Sequence, residues 1–101
     1  MSPAYTIELT RFAEKDFAAL DHSLCILALK QLRKLERFPS VGKSLGHKFG
    51  YDLSNYRSLY FAGKRYRIVY RLDDEARQVT VVAIGKKAKF EAYRRAAERE
   101  T

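Results

Sequence analysis

Seven residues in the second half of the chain have the types and spacing to act on a phosphodiester. Arg57, Arg67 and Arg71 fall on two consecutive stretches of strand character, so their side chains can converge on one patch. Lys86, Lys87 and Lys89 follow the last strand, and Tyr93 stands one helical turn beyond Lys89. Fixed cations around a phenol suit attack of an RNA 2′-hydroxyl on its own phosphate. That reaction needs a base near the 2′-oxygen, positive charge on the developing phosphorane and an acid at the leaving 5′-oxygen. A free tyrosine, with a pKa of about 10, is a weak base at neutral pH, and neighbouring ammonium or guanidinium groups favour its phenolate. The same residues also read as a solvated cationic face, with Tyr93 at the edge of the core.

Other chemistries have less to draw on. The two histidines, His22 and His47, have no carboxylate or thiol near them at ligand spacing, so no metal site is expected. The serines sit in turns without a G-x-S-x-G, and the five glycines are scattered rather than gathered into a phosphate loop. Asp73, Asp74 and Glu75 read as a solvated hairpin tip rather than a catalytic carboxylate pair. Cys25 is the one cysteine, which excludes an intrachain disulfide. It is expected to be a buried small hydrophobe in a reducing cytoplasm. No small-molecule cofactor is called for.

The elements that must position the candidates are legible from periodicity. Tyr5 to Leu9 alternates apolar and polar residues as a half-buried strand does. Thr10 can cap a helix with Ala13, Phe17 and Leu20 on its apolar side. After Asp21-His22-Ser23 a second helix runs from about Leu24 to Arg37, burying Leu24, Ala28, Leu32 and Leu35. Its other side carries Lys30, Arg33, Lys34 and Arg37, with Glu36 the one acid. Pro39 and Gly42 end that helix and open a loop through Gly46 and Gly50. Strands are expected at 57–62, 65–72 and 79–84, with Tyr66, Ile68 and Tyr70 facing opposite to Arg65, Arg67, Val69 and Arg71. The 79–84 stretch, nearly all apolar, should be covered on both faces. A last helix spans about 88–99. The order β-α-α-β-β-β-α implies one α+β domain over residues 1–101, a mostly antiparallel four-stranded sheet against a helical hairpin, with a C-terminal helix.

Composition fits such a domain and points to its partners. A chain of 101 residues with 47% hydrophobic side chains can build a single core. No apolar run has the length of a membrane span, and Met1-Ser2-Pro3-Ala4 opens no signal peptide. The net charge of +8 is unevenly placed: residues 30–71 carry eleven basic and two acidic side chains, and the flanking parts nearly cancel. A polyanion is the first partner to expect, and an acidic protein the next.

The stretch Tyr66-Arg67-Ile68-Val69-Tyr70-Arg71, then Val81-Val82-Ala83-Ile84-Gly85-Lys86-Lys87, then Phe90-Glu91-Ala92-Tyr93, resembles the RelE branch of the RelE/ParE toxins. Their pattern is a Y-R-[LIV]-[LIV]-Y strand, a strand ending in G-K-R, and an E-x-Y on the last helix. Length and element order agree, so the resemblance covers nearly the whole chain. It implies the RelE-like fold and the toxin of a type II toxin–antitoxin pair, a metal-independent endoribonuclease that cleaves mRNA in the ribosomal A site and is held by an acidic antitoxin. Carried over by position, Arg67 falls on the arginine that stabilises the scissile phosphate. Lys87 stands where the family often has an arginine, and Tyr93 on the tyrosine proposed as base or stacking group. Arg57 lies near the first of two strand lysines of the best-known members. For the second, Tyr60 or Lys64 would serve after a one-residue shift in the hairpin. The stripe Lys30, Arg33, Lys34, Arg37, together with Lys64, Arg65, Arg71, Lys86 and Lys89, is expected to bind RNA backbone.

Three other readings remain. The ParE branch shares the fold, poisons DNA gyrase and has no nuclease site. A non-catalytic RNA-binding module is possible in principle, although no RNP-like aromatic pair sits on a strand for base stacking. In the third, the basic middle segment exists only to be wrapped by an acidic antitoxin, which is compatible with toxicity because the same charges can serve both partners in turn.

Overall fold

Two side-chain caps set the N-terminal helices. A computed structural model describes residues 4–48 and 50–100; Met1, Ser2 and Pro3 lie outside the described residues. After strand β1 (Thr6–Leu9), the Thr10 hydroxyl accepts from the Ala13 amide and starts α1 (Arg11–Ala18). Asp21 accepts from the Leu24 amide at 3.0 Å and starts α2 (His22–Arg37) two residues before the periodicity alone suggests. Such a cap stabilises a helix by about 1 kcal/mol. It also holds the Asp21 carboxyl below the usual range, through hydrogen bonds from the Leu24 amide and the Ser23 hydroxyl.

Four further strands follow: β2 (Lys43–Lys48), β3 (Tyr51–Phe61), β4 (Tyr66–Asp73) and β5 (Gln78–Lys86). A 3₁₀ turn (Ala88–Phe90) leads into α3 (Glu91–Glu100). The sheet order is β1-β5-β4-β3-β2, parallel only between β1 and β5. The sheet therefore has five strands and not the expected four. The segment read as a loop after Pro39 is β2, and β3 begins at Tyr51 rather than Arg57. Gly46, at φ +104°, lies at a register shift in the β2–β3 pairing. A glycine at a bulge and a glycine in a loop look alike in sequence.

Both faces of the sheet are covered. Ala13 of α1 and Ala28, Leu32 and Leu35 of α2 pack on Phe61, Ile68, Tyr70, Val79 and Val81. On the other face Ala92, Tyr93, Ala96 and Ala97 of α3 pack on Leu45, Leu53, Val69 and Val82. Residues 79–84 are buried throughout, as expected of a doubly covered strand. Each fully buried Val, Leu or Ile side chain is worth roughly 1.5–3 kcal/mol over its exposed state. Cys25 is half-buried rather than buried, its thiol 3.5 Å from the carbonyls of Phe17 and Leu20. Among the described residues no helix is long and apolar enough to cross a membrane.

The short β1 leaves part of β5 without a strand neighbour. Pairing stops at Leu9–Val81, so β5 from Val82 onward needs other partners for its outer backbone groups. Side chains supply them. The Ile84 amide donates to Asp16 Oδ2 at 3.0 Å, Arg95 donates to the Ile84 carbonyl at 2.6 Å, and Arg99 donates to the Val82 carbonyl at 3.0 Å. Arg99 also grips Asp16 through both oxygens, at 2.7 and 2.9 Å, and Arg95 approaches it at 3.3 Å. This ion cluster fastens α3 to α1 across the sheet edge.

Candidate functional site

Arg67 is the second residue of β4, opposite Tyr60 on β3 and Gly85 on β5. Residues directly opposite on neighbouring strands share a face, so Arg67, Tyr60 and Ser58 look toward α3. Gly85 is what lets α3 start there. A Cβ on it would lie 3.1 Å from the Ala92 amide nitrogen and 3.1 Å from Glu91 Oε2. The same Glu91 carboxylate accepts from the Lys86 amide at 2.8 Å, fixing the first turn of α3 over the end of β5. Tyr93, two residues on, is thereby set beside Arg67.

Arg67 is 8% exposed and, among the described residues, has no carboxylate partner. It donates to the phenol oxygens of Tyr93 and, at 2.7 Å, Tyr60. Its Cζ lies 4.1 Å from the Tyr60 ring centre and 4.9 Å from that of Tyr93, within cation–π range of both. Ser58 Oγ is 3.4 Å from the Tyr93 hydroxyl. The Nε of Arg67 is buried without a partner. A buried charge is normally neutralised by an ion pair. Here, among the described residues, the side-chain oxygens it reaches are those of two phenols, so its field remains available to an anion.

Above this group opens a cleft of about 1030 Å³, lined by the hairpin 63–66, by residues 86–90, and by Lys43, Leu45, Tyr60, Arg67 and Tyr93. Lys43, Lys64, Arg65, Lys86, Lys87 and Lys89 are exposed around it, and none forms a salt bridge among the described residues. Gly63 and Lys64 both have positive φ, as a tight primed hairpin turn requires, and this turn brings Lys64 within 5.9 Å of the Tyr60 ring centre. The Lys87 amide donates to the Arg65 carbonyl at 2.8 Å, joining the two cationic rims. Among the described residues no three His, Cys, Asp or Glu side chains stand close enough to hold a metal ion.

The structure thus gathers Arg67, Lys64, Arg65, Lys86, Lys87, Lys89 and Tyr93, and corrects the placement of two arginines. Arg57 pairs with Tyr70 and so lies on the face opposite Arg67, donating to the carbonyls of Ser40 and Gly42. Arg71 shares the face of Arg67 but lies four residues along the strand, roughly 13 Å, and is tied to Glu100 at 3.2 Å. Lys30, Arg33, Lys34 and Arg37 are exposed on α2, across the sheet from the cleft. Opposite Arg67, β3 offers Tyr60 rather than a lysine. Sequence reasoning missed Lys43 and Leu45, because the strand that carries them was read as loop. It also missed Phe90 and the Asp16 cluster, whose members are far apart in the chain.

Comparison with known proteins agrees with this geometry. The family model of the ParE toxin of type II toxin–antitoxin systems matches residues 7–89. The chain belongs to that family. Its fold is that of RelE as well. Over 83% of this chain and 99% of the other, it is 27% identical to a chain of the Mycobacterium tuberculosis toxin–antitoxin complex RelBE2, with a TM-score of 0.71. A double arginine-to-alanine mutant of the E. coli toxin RelE in the free state superposes at a TM-score of 0.75, covering 97% of this chain and 99% of its own, at 24% identity. An archaeal RelE–RelB complex from Pyrococcus horikoshii gives 0.65 at 12% identity, over 85% and 98% of the two chains. No curated protein sequence matches. Family and fold place the chain in the RelE/ParE superfamily of toxins, with one strand more than the sequence suggested.

Proposed function

We propose that this toxin is an endoribonuclease of the RelE kind, cleaving mRNA at the ribosome in the cytoplasm and held in check by an acidic antitoxin. The observation that carries the reading is Arg67: a nearly buried guanidinium, unneutralised, with an orphan Nε, on the floor of a lysine-rimmed cleft. A phosphate seated there would receive charge-assisted hydrogen bonds where the dielectric is low. As the 2′-oxygen attacks, negative charge grows on the phosphorane, and Arg67 is held in place to stabilise it without reorganising. Tyr93, whose oxygen already accepts from Arg67, takes the 2′-hydroxyl proton as the phenolate that the guanidinium favours and returns it to the leaving 5′-oxygen. Lys87, at the rim, supplies charge toward the leaving 5′-oxygen. Each group acts by position and charge, and the chain's own residues suffice for the steps named.

Expression of the chain without its antitoxin should stop translation before DNA replication, with mRNA cut in cells and in a ribosome-containing extract. Tyr93→Phe should keep the fold and lose cleavage. A second reading rests on β3: Tyr56, Ser58 and Tyr60 are its residues paired on Arg67's side of the sheet, and none is the cation expected of the nuclease branch. Under it the toxin poisons DNA gyrase. Induction of the DNA-damage response with intact mRNA would establish that reading and overturn the first.

A further inference from the structure

One large apolar side chain on the rim of the cleft is left over by this account. Phe90 is 47% exposed and lines the same cavity as Arg67, Tyr93 and the lysines. It stands on unusual backbone. Lys89 and Phe90 have φ of +57° and +56°, consecutive left-handed residues with neither a glycine. Such residues are held only where the surroundings over-determine them, and they concentrate at functional sites. The surroundings do so here. The Phe90 amide donates to the Lys87 carbonyl at 3.0 Å, Arg94 Nε donates to the Lys89 carbonyl at 3.2 Å, and Glu91 ties the Lys86 amide at 2.8 Å. A ring exposed to water on a rigid, strained support, at the edge of a cationic cleft, is placed to meet a ligand.

We propose that Phe90 is a stacking platform for a nucleobase of the bound RNA, next to the phosphate held over Arg67. The proposal rests on the RNA reading above and adds the residue that grips a base. Charge complementarity selects the occupant: Lys86, Lys87 and Lys89 on the adjoining turn suit a phosphate backbone, and every base has a π-face for the ring. A strand-borne aromatic pair, the usual platform of RNA-binding sheets, is not needed when a strained turn presents the ring. The contact is tolerant of base identity, so it sets affinity and the register of the scissile bond more than sequence.

Short oligoribonucleotides with 2′-O-methyl groups, which cannot be cleaved, and with 2-aminopurine at successive positions test this at equilibrium. Wild type should quench the probe at one position. Phe90→Ala should weaken binding roughly 5- to 100-fold and abolish that quenching. Phe90→Leu, apolar but without a π-face, should behave like Phe90→Ala, whereas Phe90→Trp should restore both signals. An abasic nucleotide at the quenched position should make wild type and Phe90→Ala bind equally. Equal binding by Phe90→Ala and wild type on the intact oligonucleotide, or full activity of Phe90→Leu, would overturn the platform and assign the ring to a protein partner. Failure of wild type to bind would overturn this inference, whereas the RNA reading falls only if mRNA also stays intact in the ribosome-containing extract. Binding with normal quenching but no cleavage of natural RNA would remove only the nuclease step and uphold the platform.

Discussion

Two groups of arginines sit against the same sheet, and they are spent differently. At the outer edge of β5, Arg95 and Arg99 meet Asp16, whose side chain is 8% exposed, and their remaining donors go to backbone carbonyls. Charge and hydrogen bonds are satisfied within the fold. On β4, the strand next to β5, Arg67 is as deeply placed as Asp16, yet its side-chain partners are two phenol oxygens and its Nε has none. The first group holds the molecule together and presents nothing to a ligand. The second has no counter-charge among the described residues. The partner of a buried arginine, more than its burial, tells structure from function.

The comparison breaks most visibly at Arg67. Replacing it by methionine should lower single-turnover RNA cleavage by about 10²–10³-fold, the usual cost of losing one preorganised donor. Urea unfolding of the same variant should match or exceed wild type, because a desolvated charge without a counter-charge is removed. A fall in stability as large as the fall in rate would dissolve the distinction between the two groups.

Asp16→Asn should show the reverse. It leaves Arg95 and Arg99 facing each other without their carboxylate, and removing one partner of a buried pair costs several kcal/mol, here about 2–4 because Arg95 is partly exposed. The loss should appear as a lower denaturation midpoint, with oligonucleotide affinity unchanged at temperatures where the variant stays folded.

How much of this was open to inspection in the sequence depends on range. Arg67, Lys87 and Tyr93 were legible because a strand, a Gly-Lys-Lys end and one helical turn fix them locally. The cap at Thr10, the leucine stripe of α2 and the alternation of β4 were legible for the same reason. Arg57 was misplaced because its facing depends on the β3–β4 register, in which it meets Tyr70. The Asp16 cluster was invisible, since Asp16 and Arg99 are 83 residues apart and nothing local marks either. The strand β2 was hidden by its glycine at the bulge.

A smaller effect is expected from α2. Lys30→Glu with Lys34→Glu should weaken ribosome pelleting at moderate salt and flatten its salt dependence by about one unit per lost phosphate contact. The saturating cleavage rate should hardly change, because α2 lies across the sheet from the cleft. Unchanged pelleting would give the stripe to solvent or to the antitoxin.

The smallest is a pH effect at the far end of α3. Burial, with Glu100 next, pushes the Tyr56 hydroxyl from 10.0 up to about 12. A raised folded-state value means the protonated phenol is favoured by folding, so its contribution is complete below about pH 10 and fades as the pH rises toward 12. The difference in denaturation midpoint between wild type and Tyr56→Phe should be flat to about pH 10 and then shrink. A difference that grows with pH would contradict the hydrogen bond that the Tyr56 hydroxyl donates to Glu100 Oε1 at 2.8 Å.

The parallel pairing of β1 with β5 has a kinetic side. Thr6 meets Gln78 and Asp16 meets Arg99 only after most of the chain has closed into a loop, whereas β3, β4 and β5 are joined by short turns. Closing a long loop must precede any gain from its contacts, so the antiparallel meander is the natural folding nucleus and β1, α1 and the ion cluster join late. Contacts formed after the rate-limiting step leave the folding rate alone and set the rate of coming apart. The Asp16 cluster is thus a brake on unfolding, and the lifetime of a folded toxin molecule is governed at the outer edge of β5.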